Sequence, residues 1–216
     1  MYIYYPSCNF QRFFPETAKK IRAYLNTQSD VKIAGCCHKT SDLPVAGDTI
    51  MTICMSCMHV LEERRPDIPG ISLLQYLLQK EDFAWPDFDG QKMTLQDCFR
   101  ARGYHKLQDA VRECLRRMHV EIIEMPHNRD EETYDGNFLL HPPFPQNVAE
   151  APKYYGEYLP QYVTVMPKEE WIQVYKEQAA KYETEPVVTY CNSCRNGLKE
   201  AGVSVYHIAE MIFSEM

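Results

Sequence analysis

The chain has 216 residues and a formal charge of −7 at pH 7, from 23 lysine and arginine side chains against 30 aspartate and glutamate side chains. Hydrophobic residues make up 45% and charged residues 25%, which excludes a disordered or collagen-like chain and provides enough apolar surface for a core. The acidic balance argues against a nucleic-acid-binding protein, so we expect no nucleic-acid partner.

Three strands are predicted in the first part of the chain, and each runs towards cysteines. Aromatic and β-branched residues predict a strand over Tyr2 to Tyr5. A helix is predicted from Pro15, because apolar residues recur at helical spacing after it. Val31 to Ala34 and Thr49 to Ile53 are predicted to be the second and third strands. A short helix follows, and Ile71 to Leu78 is predicted to be a further helix.

The second half repeats this order of elements, which indicates an internal duplication. Met93 to Gln96 is predicted to be a strand, and the apolar face of Leu107 to Met118 predicts a helix after it. Val120 to Glu124 matches the second strand of the first half. Val187 to Tyr190 matches the third strand, and Val203 to Phe213 matches the closing segment.

An insertion at about 138–186 separates the matched elements of the second half, and seven of the 14 prolines lie in it. One helix is predicted there, with Pro167 near its start and a helical stripe from Trp171 to Tyr182. The rest is predicted to be extended loop, which either packs over a site or only covers hydrophobic surface. The side chains expected to pack are Tyr154, Tyr155, Tyr158 and Tyr162.

Strands that alternate with helices in two similar halves predict an α/β fold. Each half is expected to be a mostly parallel sheet with flanking helices, over residues 1–90 and 91–216. Side chains that follow parallel strands collect at the carboxyl edge of the sheet, and the cysteine motifs lie at these strand ends.

The nine cysteines are the unusual part of the composition. The N-terminus lacks the basic and apolar regions of a signal peptide. The longest uncharged stretch that is also attractive as a membrane span, Thr49 to Leu61, has 13 residues, where a span needs about 18 or more. We therefore predict a cytoplasmic protein with no transmembrane segment. In a reducing compartment an odd cysteine count indicates metal binding or redox chemistry more than structural disulfides.

The first half provides five thiols from three strand ends. They are Cys8, the adjacent pair Cys36 and Cys37, and Cys54 and Cys57 with two residues between them. Neighbouring residues on an extended backbone point in opposite directions, so both members of the pair reach one tetrahedral zinc only with a distorted backbone. A multi-iron cluster accepts adjacent sulfurs on different irons, which favours an iron–sulfur cluster over zinc.

Two other uses of these thiols remain open. Cys54 and Cys57 with Cys8 and one of the adjacent pair would form a zinc site in a binding module without redox turnover. A thioredoxin-like dithiol reductase would use Cys54 and Cys57 directly, but it explains neither the pair nor the duplication.

The cysteine pattern resembles that of the cysteine-rich CCG-domain family over nearly the whole chain. This family includes the cysteine-rich subunit of heterodisulfide reductase and the iron–sulfur subunits of glycolate and lactate oxidation systems. The matching residues are Cys8 after Tyr-Tyr-Pro-Ser, Cys36 and Cys37 after Gly35, Cys54 and Cys57, then Cys98, Cys191 and Cys194. Two features of the first half depart from the pattern: His38 stands where a glycine is usual, and the gap from Cys37 to Cys54 is short.

The resemblance implies the cofactor and its ligands. Each complete motif in the heterodisulfide reductase subunit holds a noncubane [4Fe–4S] cluster, where a bound disulfide is cleaved or electrons are passed on. The matching ligands here would be Cys8, Cys36, Cys37, Cys54 and Cys57. The implied protein is an oxidoreductase or electron-transfer subunit of a larger complex, with a small thiol or disulfide substrate. This sequence contains no nucleotide-binding glycine motif, so a redox partner protein would supply the electrons.

The second half keeps only part of the motif. Cys98, Cys191 and Cys194 remain, and Asp135 with its neighbours stands where the paired cysteines would fall. Three thiols could hold a metal with Asp135 or a water as the fourth ligand, or the half could be an eroded repeat that packs or shapes a pocket. Cys114 is predicted to be a core residue.

Three further residues are candidate catalytic groups. His38 and His59 flank the first thiol site, and histidine titrates near neutral pH, so they could donate hydrogen bonds or protons to a reacting thiolate. A structural role is the alternative for each. Arg100 follows Cys98 and could bind a substrate carboxylate with two hydrogen bonds, or be a solvated charge.

Overall fold

A computed structural model describes residues 1–39, 41 and 43–215 as alternating strands and helices. The strands are β1 (Tyr2–Tyr5), β2 (Val31–Ile33), β3 (Thr49–Thr52), β4 (Gly70–Ser72), β5 (Lys92–Gln96), β6 (Glu121–Glu124), β7 (Val187–Thr189) and β8 (Val205–His207). The α-helices are α1 (Cys8–Phe13), α2 (Pro15–Asn26), α3 (Met55–Arg64), α4 (Leu73–Leu77), α5 (His105–Arg117), α6 (Pro145–Glu150), α7 (Trp171–Ala179), α8 (Asn192–Glu200) and α9 (Ile208–Ile212).

The strands form two four-stranded sheets with the same topology. The order is β2-β1-β3-β4 in the first sheet and β6-β5-β7-β8 in the second, and all described pairs are parallel. Apolar side chains of the central strands, such as Tyr4, Ile50 and Leu95, are buried, as expected for sheets covered by helices on both faces. The predicted α/β fold with two similar halves is confirmed.

The segment predicted as a helix over Ile71 to Leu78 is part strand and part helix. Gly70–Ser72 pairs with β3, and the helix is limited to Leu73–Leu77. Ser72 ends the strand and begins the helix, because its side chain accepts a hydrogen bond from the Gln75 amide while the Gln75 side chain accepts one from the Ser72 amide. A short apolar run does not reveal this boundary, because buried strand and buried helix look alike in it.

The insertion is largely helical, so the prediction of extended loop around its tyrosines is wrong. Helix α6 is followed by a π-helix over Pro152–Tyr158 and a 3₁₀ turn over Leu159–Tyr162. Pro145 and Pro152 each lie in the first turn of a helix, where the missing N–H has no intrahelical partner to lose. The helix predicted from Trp171 is present as α7.

The chain divides into two compact units. The first unit contains residues 1–81 and 143–161, and the second contains 82–142 and 162–215. The predicted division into 1–90 and 91–216 assigns the whole insertion to the second half, whereas residues 143–161 pack with the first unit. Glu63 on α3 holds this segment, because its carboxylate accepts hydrogen bonds from the amides of Lys153 and Tyr154 at 3.0 and 2.6 Å.

Helix α5 shows how the helices cover the second sheet. Its 13 residues bury Leu107, Val111, Cys114 and Leu115 on one face. Cys114 is therefore a core residue, as predicted. No helix of the described chain combines the length and the apolar character that crossing a membrane requires.

Candidate metal centres

The first unit places its thiols at the carboxyl edge of its sheet. Cys8 begins α1 directly beyond β1, and Cys36 and Cys37 follow β2. Cys54 occupies the N-cap position of α3 beyond β3, and Cys57 lies in the first turn of that helix. Because β2, β1 and β3 are neighbours, these loops meet at one edge.

The five thiols form one run of sulfur contacts. The sulfurs of Cys8 and Cys36 are 3.6 Å apart. The Cys37 thiol contacts those of Cys36 and Cys57, and the Cys57 thiol also contacts that of Cys54. Cys8 is exposed, whereas Cys37 and Cys57 are buried. The structure therefore brings together all five first-half thiols that the sequence singles out.

Contacts and burial give these thiols different pKa values. Burial, with the contact to Cys36, raises the pKa of Cys8 to about 11. The contact with Cys57 lowers the pKa of Cys37, whereas contacts with Cys37 and Cys54 and burial raise the pKa of Cys57 well above its ordinary value. Cys37 is thus more inclined to ionise than Cys8 or Cys57, and metal binding at this site would release protons.

Arg64 on α3 fixes the loop that carries the adjacent cysteines. Its Nη1 donates a 2.6 Å hydrogen bond to the carbonyl oxygen of Cys37 and lies 3.1 Å from the Glu150 carboxylate on α6. His38 Nδ1 lies 4.0 Å from the same carboxylate, and burial lowers the pKa of the His38 ring. One cation therefore connects the cysteine loop, the cysteine helix and the insertion.

His59 is buried on α3, two residues beyond Cys57. Its ring stacks on that of Tyr154, with centroids 3.5 Å apart and an interplanar angle of 12°, and it meets Tyr155 edge-on. His38 and His59 thus both contact residues of the insertion. Tyr154 packs on the helix that carries the thiols, as the sequence suggested for the insertion.

We expect Arg64→Met to lower the free energy of unfolding by about 1–3 kcal/mol. The change removes the charge-assisted hydrogen bond to Cys37 and the ion pair with Glu150. Urea unfolding of the two proteins measures the difference. Arg12→Met, which removes an exposed arginine from α1 of the same unit, is the control. Equal losses in both variants would contradict the role given to Arg64.

The second unit holds a more compact group at the equivalent edge of its own sheet. Cys98 follows β5, Asp135 follows β6, and Cys191 caps α8 beyond β7 with Cys194 in the first turn. One ligand atom of each lies within 4.8 Å of all the others, and all four residues are buried. In the part of the chain that the structure describes, this is the one such group of three or more, and it could hold a metal ion.

The buried side chain of Arg100 forms hydrogen bonds with members of this group. Its Nε and Nη2 donate to the two oxygens of Asp135 at 2.6 and 2.9 Å, and Nη2 lies 3.5 Å from the sulfur of Cys191. Its guanidinium carbon lies 3.9 Å from the centre of the Phe138 ring. The sequence suggested a substrate carboxylate or a solvated charge for Arg100. It does bind a carboxylate with two hydrogen bonds, but the carboxylate is that of Asp135 and the pair is buried.

Burial and this cation act in opposite directions on the acids. Burial raises the pKa of Asp135 to about 8, against the effect of Arg100. Burial also disfavours a Cys191 thiolate, but hydrogen bonds from Cys194 and Cys98 and the charge of Arg100 prevail and lower the pKa of Cys191 well below its ordinary value. The buried guanidinium therefore has two acidic partners, the Asp135 carboxyl group and the Cys191 thiol.

The loop that presents Asp135 is held on both sides. The Glu132 carboxylate accepts hydrogen bonds from the amides of Thr133 and Tyr134, both at 2.8 Å, and burial raises the pKa of Glu132. The Ser193 hydroxyl donates to the carbonyl oxygen of Asp135 at 2.9 Å. Sequence reasoning missed Glu132 and Ser193, since the only local signal was a glycine after Asp135.

Comparisons with known proteins do not assign a family. No family model matches the chain, and no curated protein matches it. Solved structures that resemble it include glutamate racemase isoform RacE1 from Bacillus anthracis, with 12% identity over 99% of this chain and 78% of that chain and a TM-score of 0.38. That likeness is too remote to carry an argument. Function is therefore argued from the two clusters of cysteines, one in each unit.

Proposed function

We propose that this chain is an iron–sulfur redox protein that binds a noncubane-type [4Fe–4S] cluster in its first unit. The ligands would be Cys8, Cys36, Cys37, Cys54 and Cys57. One observation carries the proposal: five thiols from three neighbouring strand ends form a continuous run of sulfur contacts. Thiolates at such convergent positions are the ligands that iron–sulfur clusters use. The motif resemblance to the CCG-domain family supports the same cofactor.

The number and spacing of these thiols fit a multi-iron group better than one ion. Five thiols exceed the four ligands of a structural zinc. A tetrahedral zinc holds its sulfurs about 3.8 Å apart. Among the described residues of the first unit, no three potential ligand atoms all lie within 4.8 Å of one another. An extended run of sulfurs suits a group whose irons take different thiolates.

The residues around the site have separate tasks in this proposal. When bound, the cluster would supply reversible electron transfer and an iron that polarises a substrate sulfur. Cys8 is the exposed end of the run and marks where a small thiol or disulfide substrate, or the electron-donating partner protein, would approach. Arg64 orients the paired cysteines through the Cys37 carbonyl, and the helical insertion covers α3 through Tyr154.

A zinc-stabilised binding module without redox turnover is the competing function. It would use Cys54 and Cys57 with Cys8 and one cysteine of the adjacent pair. The second unit favours it in one respect, because the equivalent edge of its own sheet gathers four potential ligands around a single point.

Anaerobic purification after growth with added iron distinguishes the two functions. We expect a coloured protein with equal amounts of iron and acid-labile sulfide, and an electron paramagnetic resonance signal in one of its redox states. A colourless, iron-free protein after anaerobic reconstitution would overturn the iron–sulfur proposal. Zinc that the unmodified chain binds and that Cys57→Ser lowers by one equivalent would support the binding module.

A further inference from the structure

The geometry of the second unit points to a metal site of another kind than the proposed cluster. We infer that Cys98, Cys191, Cys194 and Asp135 bind a single thiophilic divalent ion of the zinc type, in a closed structural site. The inference rests on residues of the second unit alone and does not depend on the cofactor of the first.

The distances within the group match one tetrahedral ion. A zinc ion with Zn–S distances of about 2.3 Å and a Zn–O distance of about 2.1 Å holds sulfur and oxygen about 3.6 Å apart. The Oδ1 atom of Asp135 lies 3.4 Å from the sulfur of Cys98, 3.4 Å from that of Cys191 and 4.0 Å from that of Cys194. The three thiols also contact one another. All four ligand atoms lie within 4.8 Å of one another, so the group surrounds a single point, whereas the first-unit thiols form an extended run. A compact group of this kind suits one ion.

The site has the features of a structural rather than a catalytic metal centre. Four protein ligands complete a tetrahedron and leave no position for water or substrate, and all four are buried. The ligands follow three adjacent strands, so one ion would tie together the ends of β6, β5 and β7. Zinc has no redox chemistry, so this unit would stabilise the fold without taking part in electron transfer.

The loop around Asp135 indicates that the carboxylate is positioned as a ligand. Gly136 has a φ of +53°, and a Cβ atom there would lie 2.1 Å from the carbonyl oxygen of Ser193. Ser193 and Glu132 bind the loop on either side of Asp135. An eroded repeat would have no need for this close approach, whereas a ligand must be held in place by its surroundings.

Arg100 supplies the surrounding charge that such a site needs. Three thiolates and a carboxylate carry four negative charges, of which a divalent ion compensates two. The guanidinium compensates a third, and it does so by hydrogen bonds to two of the ligands, Asp135 and Cys191. Metal-bound carboxylates are commonly hydrogen-bonded in this way. Arg100 is therefore a positioning residue of the site.

The alternative is a metal-free ion pair between Arg100 and Asp135 among reduced thiols. The test uses the full chain carrying Cys57→Ser, which disables the first unit, purified anaerobically with zinc present. We expect one equivalent of zinc per chain, exchangeable for cobalt with thiolate-to-cobalt absorption. Adding Cys191→Ser should weaken metal binding at least about 100-fold, whereas adding Cys114→Ser should not change it.

A second variant keeps the test decisive if Cys191→Ser does not fold. Asp135→Cys converts the oxygen ligand to a fourth thiolate, so we expect retained metal and about one third more thiolate-to-cobalt absorption. A metal-free Cys57→Ser protein, or an Asp135→Cys variant without this gain, would show that the group is only an ion pair. Iron and sulfide in the unmodified chain report on the first unit separately, so failure of one proposal is distinguishable from failure of the other.

Discussion

Cys57→Ser is expected to remove the iron and sulfide of the first unit, with at least about a 100-fold loss of cluster affinity. Changes to residues that only support metal ligands already cost about 10- to 100-fold. Cys57 is buried and in contact with both Cys37 and Cys54, so its sulfur lies within the run of thiols. A serine hydroxyl is a poor ligand for iron in such clusters, which are bound by thiolates. Iron and sulfide assays with the visible spectrum measure the loss.

Cys114→Ser is the matched control for this change. Cys114 is also a fully buried cysteine, but it lies on the apolar face of α5 in the second unit. We expect it to lower stability while iron and sulfide stay at the level of the unmodified protein. Equal iron loss in the two variants would mean that the loss follows from destabilisation, and it would contradict the assignment of Cys57 as a ligand.

Gly136→Ala is expected to lower the free energy of unfolding of the second unit by about 2–5 kcal/mol. The left-handed backbone conformation at φ +53° costs a non-glycine residue about 1–2 kcal/mol. The added methyl group would also lie 2.1 Å from the backbone carbonyl oxygen of Ser193, and such overpacking costs about 1–3 kcal/mol more. Because the loop carries Asp135, the variant should also lose the metal inferred for this unit. Chemical denaturation and zinc analysis measure the two effects.

Gly202→Ala measures the cost of the left-handed backbone conformation without the close contact that a methyl group would make at Gly136. Gly202 follows α8 with a φ of +88°, and a Cβ atom there would have nothing within 4 Å. The change should therefore cost only about 1–2 kcal/mol and leave zinc binding intact. If Gly202→Ala destabilises the protein as much as Gly136→Ala, the close approach to Ser193 does not hold the loop.

The duplicated sheet was predictable because its signals are local. Each of the strands β1, β3, β5 and β7 is a short run of apolar or β-branched residues that passes directly into a cysteine or a turn, and the same order occurs twice. The convergence of the thiols then follows from parallel pairing, since side chains after parallel strands share one edge.

The ends of individual strands and helices, and the helical structure of the insertion, were less predictable from the sequence. The apolar run after Gly70 contains both a strand and a helix, and its hydrophobicity does not separate them. In the insertion, Pro145 and Pro152 look like helix breakers in sequence but lie in first helical turns. Tertiary contacts such as those of Glu63 with Lys153 and Tyr154 stabilise these short helices, which would not persist alone.

The sequence by itself determined the two similar halves, the strand ends that carry cysteines and the difference between five thiols and three, because these depend on residue type and order. Only the tertiary structure decided that the Asp135 carboxyl group lies beside the three second-half thiols and that Arg100 forms hydrogen bonds with this carboxyl group. The carboxylate lies 37 to 59 residues from those thiols along the chain. Only the pairing order β6-β5-β7 brings them within 4.8 Å, and no local pattern encodes that distance.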